Sequence, residues 1–286
     1  MKKKLIVIAV IVLLVIILFP VFKDKIKSTY YLYKYFTKYD RQQFGDVEGE
    51  GIYFNITKSE ETVQTILGTS YWTENEKIKL LLLVQSLYKK TTTFQIYILL
   101  DYHLIDFISG GENSLKKEIT LHRRQKKIYE IDINSIPDGA HDLVILIIPN
   151  TAREVIFSAH RTIFRNNHTY IGLPSAVEVK ESNAENCFLH RKDQGLIFNF
   201  QKDNFENPES ILLMLFDKKK FKSEIAYCNI SDMPEKVEVL TDFDYTKLSN
   251  RDVQFILFTN PFVPSEYPPG KLTGHVHMTE QYRLSD

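Results

Sequence analysis

Residues 129–149 read YEIDINSIPDGAHDLVILIIP, and this stretch decides the fold. From Ile131 to Asn134 apolar and polar side chains alternate, the period of a strand with one buried face. Pro137 presets the backbone for a reversal, and Asp138 and Gly139 accept the dihedrals that a tight turn demands. Leu143 to Ile148 is then an unbroken run of Leu and β-branched residues, closed by Pro149. Pro137 and Gly139 interrupt any 3.6-residue period, so a helix is excluded. The stretch reads as strand, tight connection, strand.

The arrangement recurs 110 positions on, from 131 to 241. Ile131-Asp132-Ile133-Asn134 lines up with Thr241-Asp242-Phe243-Asp244, and His141-Asp142-Leu143-Val144-Ile145 with Arg251-Asp252-Val253-Gln254-Phe255. Upstream, Ile98-Leu99-Leu100-Asp101 matches Met214-Leu215-Phe216-Asp217, with six fewer residues inside the later copy. Shared order and spacing of apolar runs point to two copies of one module.

Ile136, Gly139 and His141 form a short segment of apolar residue, turn, Gly, one residue, His, ahead of a central strand. It resembles the corner of bacterial immunoglobulin-like and fibronectin-like β-sandwich modules. The later copy keeps Leu248 but lacks the Gly and the His. The resemblance implies a sandwich fold and no activity, because that fold hosts many unrelated functions.

At 286 residues the chain has room for two domains, and 44% apolar content supplies their cores. Lys+Arg and Asp+Glu balance at 36 each, which removes any general pull toward nucleic acid. Cys187 and Cys228 are the two cysteines. Joined, they would close a loop of about 40 residues, worth roughly 4 kcal/mol by chain entropy; unjoined, they are two small buried residues. Their spacing fits no zinc pattern.

Residues 1–28 begin with three lysines and continue apolar from Leu5 to Phe22, interrupted by Pro20. Eighteen helical residues reach about 27 Å, enough for the hydrocarbon core. Phe22, Lys23 and Asp24 occupy the place of a cleavage site, so an uncleaved anchor is expected rather than a signal peptide. The short head stays cytoplasmic and the body lies outside. Residues 29–51 interleave Tyr and Phe with Lys and Arg before a Gly-containing linker, a composition suited to the membrane interface.

The first module is expected over 52–164, the second over 165–265, and a tail over 266–286, whose segment from Lys271 to Met278 adds a last strand. Expected strands cover Ile52 to Ile56, Ile78 to Gln85, Phe94 to Leu100, Lys127 to Asn134, Asp142 to Ile148 and Glu154 to Phe164. In the later copy they cover Gly195 to Gln201, Ser210 to Phe216, Lys236 to Phe243 and Asp252 to Phe258. Ser109 to Asn113 reads as a turn, and Glu60 to Leu67 as a short helix capped by Ser59. The fold class is therefore mainly β: two tandem antiparallel immunoglobulin-like sandwich modules after an N-terminal transmembrane helix. Leu80 to Val84 and Leu143 to Ile148 are apolar on both faces, so their outer faces pack on the other module or form a partner surface, the first being preferred.

Chemistry is sparse. No GxSxG, HExxH, Walker loop, GxGxxG or CxxC occurs. His275 and His277 alternate as a metal pair would, but with Glu280 nearby they fall short of a site. His122-Arg123-Arg124, His160-Arg161 and His190-Arg191 set cations side by side; gathered together they would receive an anionic polymer or a phospholipid headgroup, and apart they blunt strand edges. Asp101, Asp132, Asp217 and Asp242 fall at strand ends in both copies, which suits capping better than paired-carboxylate catalysis. Asn-x-Ser/Thr triplets at Asn55, Asn167 and Asn229 are as frequent as chance allows. No catalytic, cofactor or metal residue is assigned. The expected role is non-catalytic binding of an envelope protein or glycan, the alternative being an envelope glycan hydrolase or transferase built from dispersed Asp and His.

Overall fold

The computed structural model describes residues 51–58, 64–65, 70–150, 156–182, 189–192, 195–202, 208–217, 220–243, 253–262 and 276–278. The apolar run 5–22, Cys187, His275 and Glu280 lie outside the described residues. Among those described there is no α-helix, and no helix long and apolar enough to cross a membrane. The chain is mainly β. It divides into two compact units, one holding the described residues of 1–55, 82–91 and 121–129, the other those of 56–81, 92–120 and 130–286.

Strands β1 (Ile52–Lys58), β2 (Gln64–Thr65), β3 (Ser70–Thr73), β4 (Ile78–Ser86), β5 (Thr92–Leu100) and β6 (His103–Leu104) open the fold. Next come β7 (Phe107–Ser109), β8 (Glu112–Ser114), β9 (Lys117–Leu121), β10 (Lys126–Ile133), β11 (Gly139–Pro149) and β12 (Phe157–Arg165). The later strands are β13 (Val179–Glu181), β14 (Leu189–Lys192), β15 (Gly195–Gln201) and β16 (Ser210–Asp217). After them follow β17 (Lys222–Asn229), β18 (Lys236–Thr241), β19 (Val253–Thr259) and β20 (Val276–Met278). Four sheets result: β1-β4-β10-β7-β8; β2-β3-β12-β11-β5-β6 with β9 also on β5; β13-β18-β15-β14; and β17-β16-β19-β20.

In the smaller unit, the connections after β4 and after β9 are tied together. Ser86 N–H donates to Gln125 O at 3.2 Å and Arg124 N–H to Ser86 O at 2.8 Å. Leu87 N–H donates to Gly51 O at 2.9 Å, joining the start of β1 to the same place.

In the larger unit, β16 is buried on both faces, and the two faces serve different cores. Ile211, Leu213 and Leu215 pack with Leu196, Phe198, Phe200, Val237 and Val239, so the last two sheets form a sandwich. Leu212, Met214 and Phe216 face the other way and share a core with Tyr97, Leu99, Val144, Leu146 and Ile148 from β5 and β11. Register explains the sorting. Val144 pairs Leu99 and Leu146 pairs Tyr97, while Leu212 pairs Phe258 and Met214 pairs Ile256, so each cross-strand pair presents one face. A strand with no wet face has no reason to alternate. Leu143 to Ile148 is buried on both faces, with Val144, Leu146 and Ile148 against Leu212, Met214 and Phe216 of β16.

The expected strands are all present, with ends moved by a few residues, and β20 does add to β19. The hairpin β7–β8 turns at Gly110 and Gly111, both at positive φ (67° and 84°), as a two-residue primed turn needs. Three expectations are corrected. Gln64–Thr65 is a strand paired with β3, so the helix over 60–67 fails there; its other residues lie outside the described ones. β3 pairs in parallel with β12, Tyr71 opposite Ile163, so the sheets are not wholly antiparallel. Sequence gave no sign of β3 because four residues carry too short a period, and its extended form comes from the neighbours it joins.

The expected match of Asp217 to Asp101 also fails. Leu143 pairs Leu100, whereas Val253 pairs Asp217, so Asp217 corresponds to Leu100 and not to Asp101. A one-residue slip exchanges the two faces of a strand. Accordingly Leu99 shares its core with Phe216, and Leu215 belongs to the other core.

Leu146 is fully buried in the core shared by β11 and β16. Leu146→Ala should cost about 2–5 kcal/mol, read as a lowered urea midpoint. An unchanged midpoint would show that this core is not closed in solution.

Candidate functional site

The turn chemistry around β11 gathers most of the polar side chains that the sequence offers. After β5, Asp101 and Tyr102 form the two-residue loop to β6, both at positive φ (50° and 66°). Asp tolerates that region, but a bulky aromatic rarely does, so something must hold Tyr102 there. Its hydroxyl donates to Asp142 Oδ2 at 2.9 Å, and its ring lies in the core, 4.7 Å from Phe258 and 5.2 Å from Phe262.

Asp142 is completely buried. Besides Tyr102, its carboxylate accepts the Tyr170 hydroxyl at 2.7 Å on Oδ1 and the Phe262 amide at 2.6 Å on Oδ2. His160 Nε2 lies 3.1 Å from Oδ1, within ion-pair range but without the alignment of a hydrogen bond. Burial by itself pushes the Asp142 pKa up. The His160 imidazole, the Tyr170 hydroxyl and the Phe262 amide outweigh it and hold the carboxyl below the ordinary range. Burial first, then the Asp142 charge, raises the Tyr102 and Tyr170 hydroxyls, so both remain donors. Three donors from three separate segments thus converge on one carboxylate.

A second pair stands beside it. Asp101 Oδ1 accepts the Asp142 amide at 2.9 Å, Asp101 N–H donates to Asp142 O at 2.8 Å, and Asp101 Oδ2 meets His141 Nδ1 at 2.6 Å. His141 Nε2 faces the Pro137 carbonyl at 3.0 Å. Both ring nitrogens therefore face acceptors, an arrangement only the imidazolium satisfies. Burial works to lower the His141 pKa, but the Asp101 carboxylate, the Pro137 carbonyl and Asp142 together raise it above its ordinary value. The turn itself is closed on its far side, since Arg165 donates to Ile136 O and lies 3.3 Å from Asp138. Gly139 sits at φ 130°, which L side chains rarely adopt, and a Cβ there would crowd Thr169 O at 3.1 Å.

The sequence-weighted residues separate accordingly. Asp101 and His141 meet across 40 positions of chain, and Asp217 Oδ1 caps the turn after β16 by accepting Lys220 N–H at 2.9 Å. Asp132 lies on β10 opposite Ile108, and Asp242 is exposed just past β18. His160 and Arg161 are not a surface cation pair: Arg161 donates to His160 O at 2.7 Å. His122, Arg123 and Arg124 are exposed, His190 lies on β14 opposite Ile197, and His277 on β20 opposite Leu257. Cys228 is a buried free thiol pushed up to about 12 by burial. Trp72 stacks on His168 at 5.0 Å. Tyr102, Tyr170 and Phe262 had no signal in the sequence beyond being aromatic, because their roles depend on contacts across 28 to 120 positions.

Among the described residues no group of three His, Cys, Asp or Glu is placed to hold a metal. A half-open depression of about 250 Å³ is lined by Phe107, Ser109, Glu112, Ser114, Lys116, Lys117 and Glu118. Lys116 Nζ lies 2.9 Å from Glu118 and lowers its pKa, the opposite of what a general acid requires.

No family model matches the chain, and no curated protein matches it. Among solved structures it is similar to the CARDB domain of the PF1109 protein from Pyrococcus furiosus, crystallised with di-metal ions, at 9% identity and TM-score 0.26 over 43% of this chain and 100% of that one. It is also similar to the periplasmic chaperone SfaE, at 11% identity and TM-score 0.25 over 74% of this chain and 93% of that one. The YadV chaperone follows at 10% and 0.24, over 79% and 99%. Likeness at those TM-scores carries no argument; the sheets described above stand on their own pairings.

Because the folded-state pKa of His141 is raised, its stabilising effect is complete below the unfolded value of about 6.5 and fades as pH rises through the folded value. The urea midpoint should therefore fall as pH is raised above about 6.5, and His141→Gln should flatten that slope. A wild-type midpoint independent of pH in that window would refute the doubly bonded imidazolium. Asp142→Asn, which leaves three donors and His160 around a neutral amide, should cost about 3–5 kcal/mol by the same denaturation assay.

Proposed function

We propose that this chain is a membrane-anchored, extracytoplasmic protein whose two tandem immunoglobulin-like modules, 52–164 and 165–265, bind an envelope protein or glycan without catalysis. The single observation that carries the non-catalytic reading is the use made of Asp101, His141, Asp142 and His160. The acid and base groups an envelope hydrolase would recruit are spent on joining strands, and Asp142 is wholly buried.

Matching connectivity supports the two-module reading. In one sheet, β9-β5-β11-β12 has the same order as β17-β16-β19-β20; in the partner sheets, β1-β4-β10 has the same order as β14-β15-β18. Each set places its first, second and fifth strands in one sheet and the other four in the second, an immunoglobulin-like arrangement. His141 bonding back to Pro137 at the corner before the sixth strand fits the same pattern. The anchor rests on the three lysines and the apolar run 5–22, and its orientation on the short positive head. Ile171 and Leu173, 61% and 50% exposed on either side of Gly172, offer apolar contact in the segment between β12 and β13.

Crosslinking in intact membranes followed by pull-down should recover one stoichiometric envelope component with the full-length chain and not with a chain lacking residues 1–28. Ile171→Ser combined with Leu173→Asp should lower that recovery severalfold while leaving the thermal midpoint unchanged. Equal recovery from both lengths of chain would remove the anchor from the function, and none from either would remove the stable partner.

A further inference from the structure

In a chain of zero net charge, the smaller unit concentrates cations at one place. The connection after β4 carries Lys89 and Lys90, and the one after β9 carries His122, Arg123 and Arg124, leading into Lys126 and Lys127 on β10. Neither 82–91 nor 121–129 contains a single Asp or Glu. Lys89, Lys90, His122, Arg123 and Arg124 are all exposed. The two connections hold each other: the Ser86 backbone bonds Gln125 and Arg124, and Thr91 Oγ1 meets His122 Nδ1 at 2.8 Å. The second is a rigid turn, with Arg124 at φ 58° and Gln125 Oε1 accepting the His122 amide at 2.9 Å. Charge is thus presented on a fixed surface and not on loose side loops.

Gly51, where the described chain begins, is bonded to Leu87 at the root of the first of these connections. Residues 23–50 separate it from the apolar run, a reach of no more than about 100 Å even fully extended. A surface tethered at that range meets the bilayer at an effective concentration of up to about millimolar.

We infer that the paired connections 87–91 and 122–127 form a docking face for anionic phospholipid headgroups, holding the body against the membrane that anchors it. The inference deepens the anchored reading proposed above and rests on it for the choice of lipid over a soluble polyanion. Each Lys or Arg near an anionic surface strengthens binding about fivefold, so the face is effective only when several act together.

The test uses the full-length chain in vesicles of phosphatidylcholine, with and without about 30 mol% phosphatidylglycerol. Lysine acetylation is followed by mass spectrometry, with the exposed Lys220 and Lys222 as internal references. Lys89 and Lys90 should be acetylated severalfold more slowly in the anionic vesicles, with the references unchanged. About 1 M salt, which shortens the Debye length to about 3 Å, should abolish the difference. Lys89→Glu with Arg123→Glu should lose the protection at Lys90 while keeping the wild-type melting curve. Resistance to alkaline carbonate extraction reports on the anchor separately. A chain that resists extraction but shows no anionic-lipid protection overturns the docking face and leaves the anchor standing. A chain that is extracted yet protected keeps the face and overturns the anchor. Stronger protection by a soluble oligonucleotide than by anionic vesicles, at equal phosphate, overturns the lipid assignment.

Discussion

A carboxylate with no exposure to water must be matched donor for donor, and Asp142 is the constraint on which the larger unit depends. Its partners come from the turn after β5, the segment after β12 and the turn after β19. None of these segments is adjacent in the chain, so satisfying the carboxylate fixes where each must run. Tyr102 accepts a left-handed backbone to deliver its hydroxyl, and Phe262, also at positive φ (59°), delivers its amide. The Phe262 ring then collects Tyr102, Tyr170 and Tyr227 around it, at 5.2, 5.9 and 5.7 Å. Polar matching and aromatic packing thus reinforce each other at one point.

The apolar counterpart of that junction is β16. An antiparallel strand normally keeps one face for water, and that freedom is absent here because two cores claim it. Burying both faces couples the sandwich formed by the last two sheets to the sheet of β5 and β11. The polar junction complements this. Hydrophobic burial is nondirectional, whereas the bonds at Asp142 admit one alignment of the strands. The same division is visible in Asp101, His141 and Asp142, whose bonds run between segments distant in the chain.

Much of the fold was legible. The alternation before Pro137, the turn residues after it and the doubly apolar run from Leu143 each dictate local form through short-range sterics and period. The β7–β8 hairpin follows from Gly110–Gly111 alone. The polar junction was only half legible: His141 beside a turn suggests a local bond, and the bond to Pro137 is local. Its bond to Asp101 is not, and neither Tyr102 nor Tyr170 carries a mark that separates it from the other tyrosines.

By itself the sequence determined a β-rich chain, the places where it turns, and the runs that no water can face, because these depend on residues a few positions apart. Tertiary structure alone decided the parallel partner of β3, the pairing of Leu143 with Leu100 and of Val253 with Asp217, and the convergence on Asp142. Those depend on which distant strands meet and in what register, and a pattern of period two leaves the register open until the opposing faces and the buried charge select it.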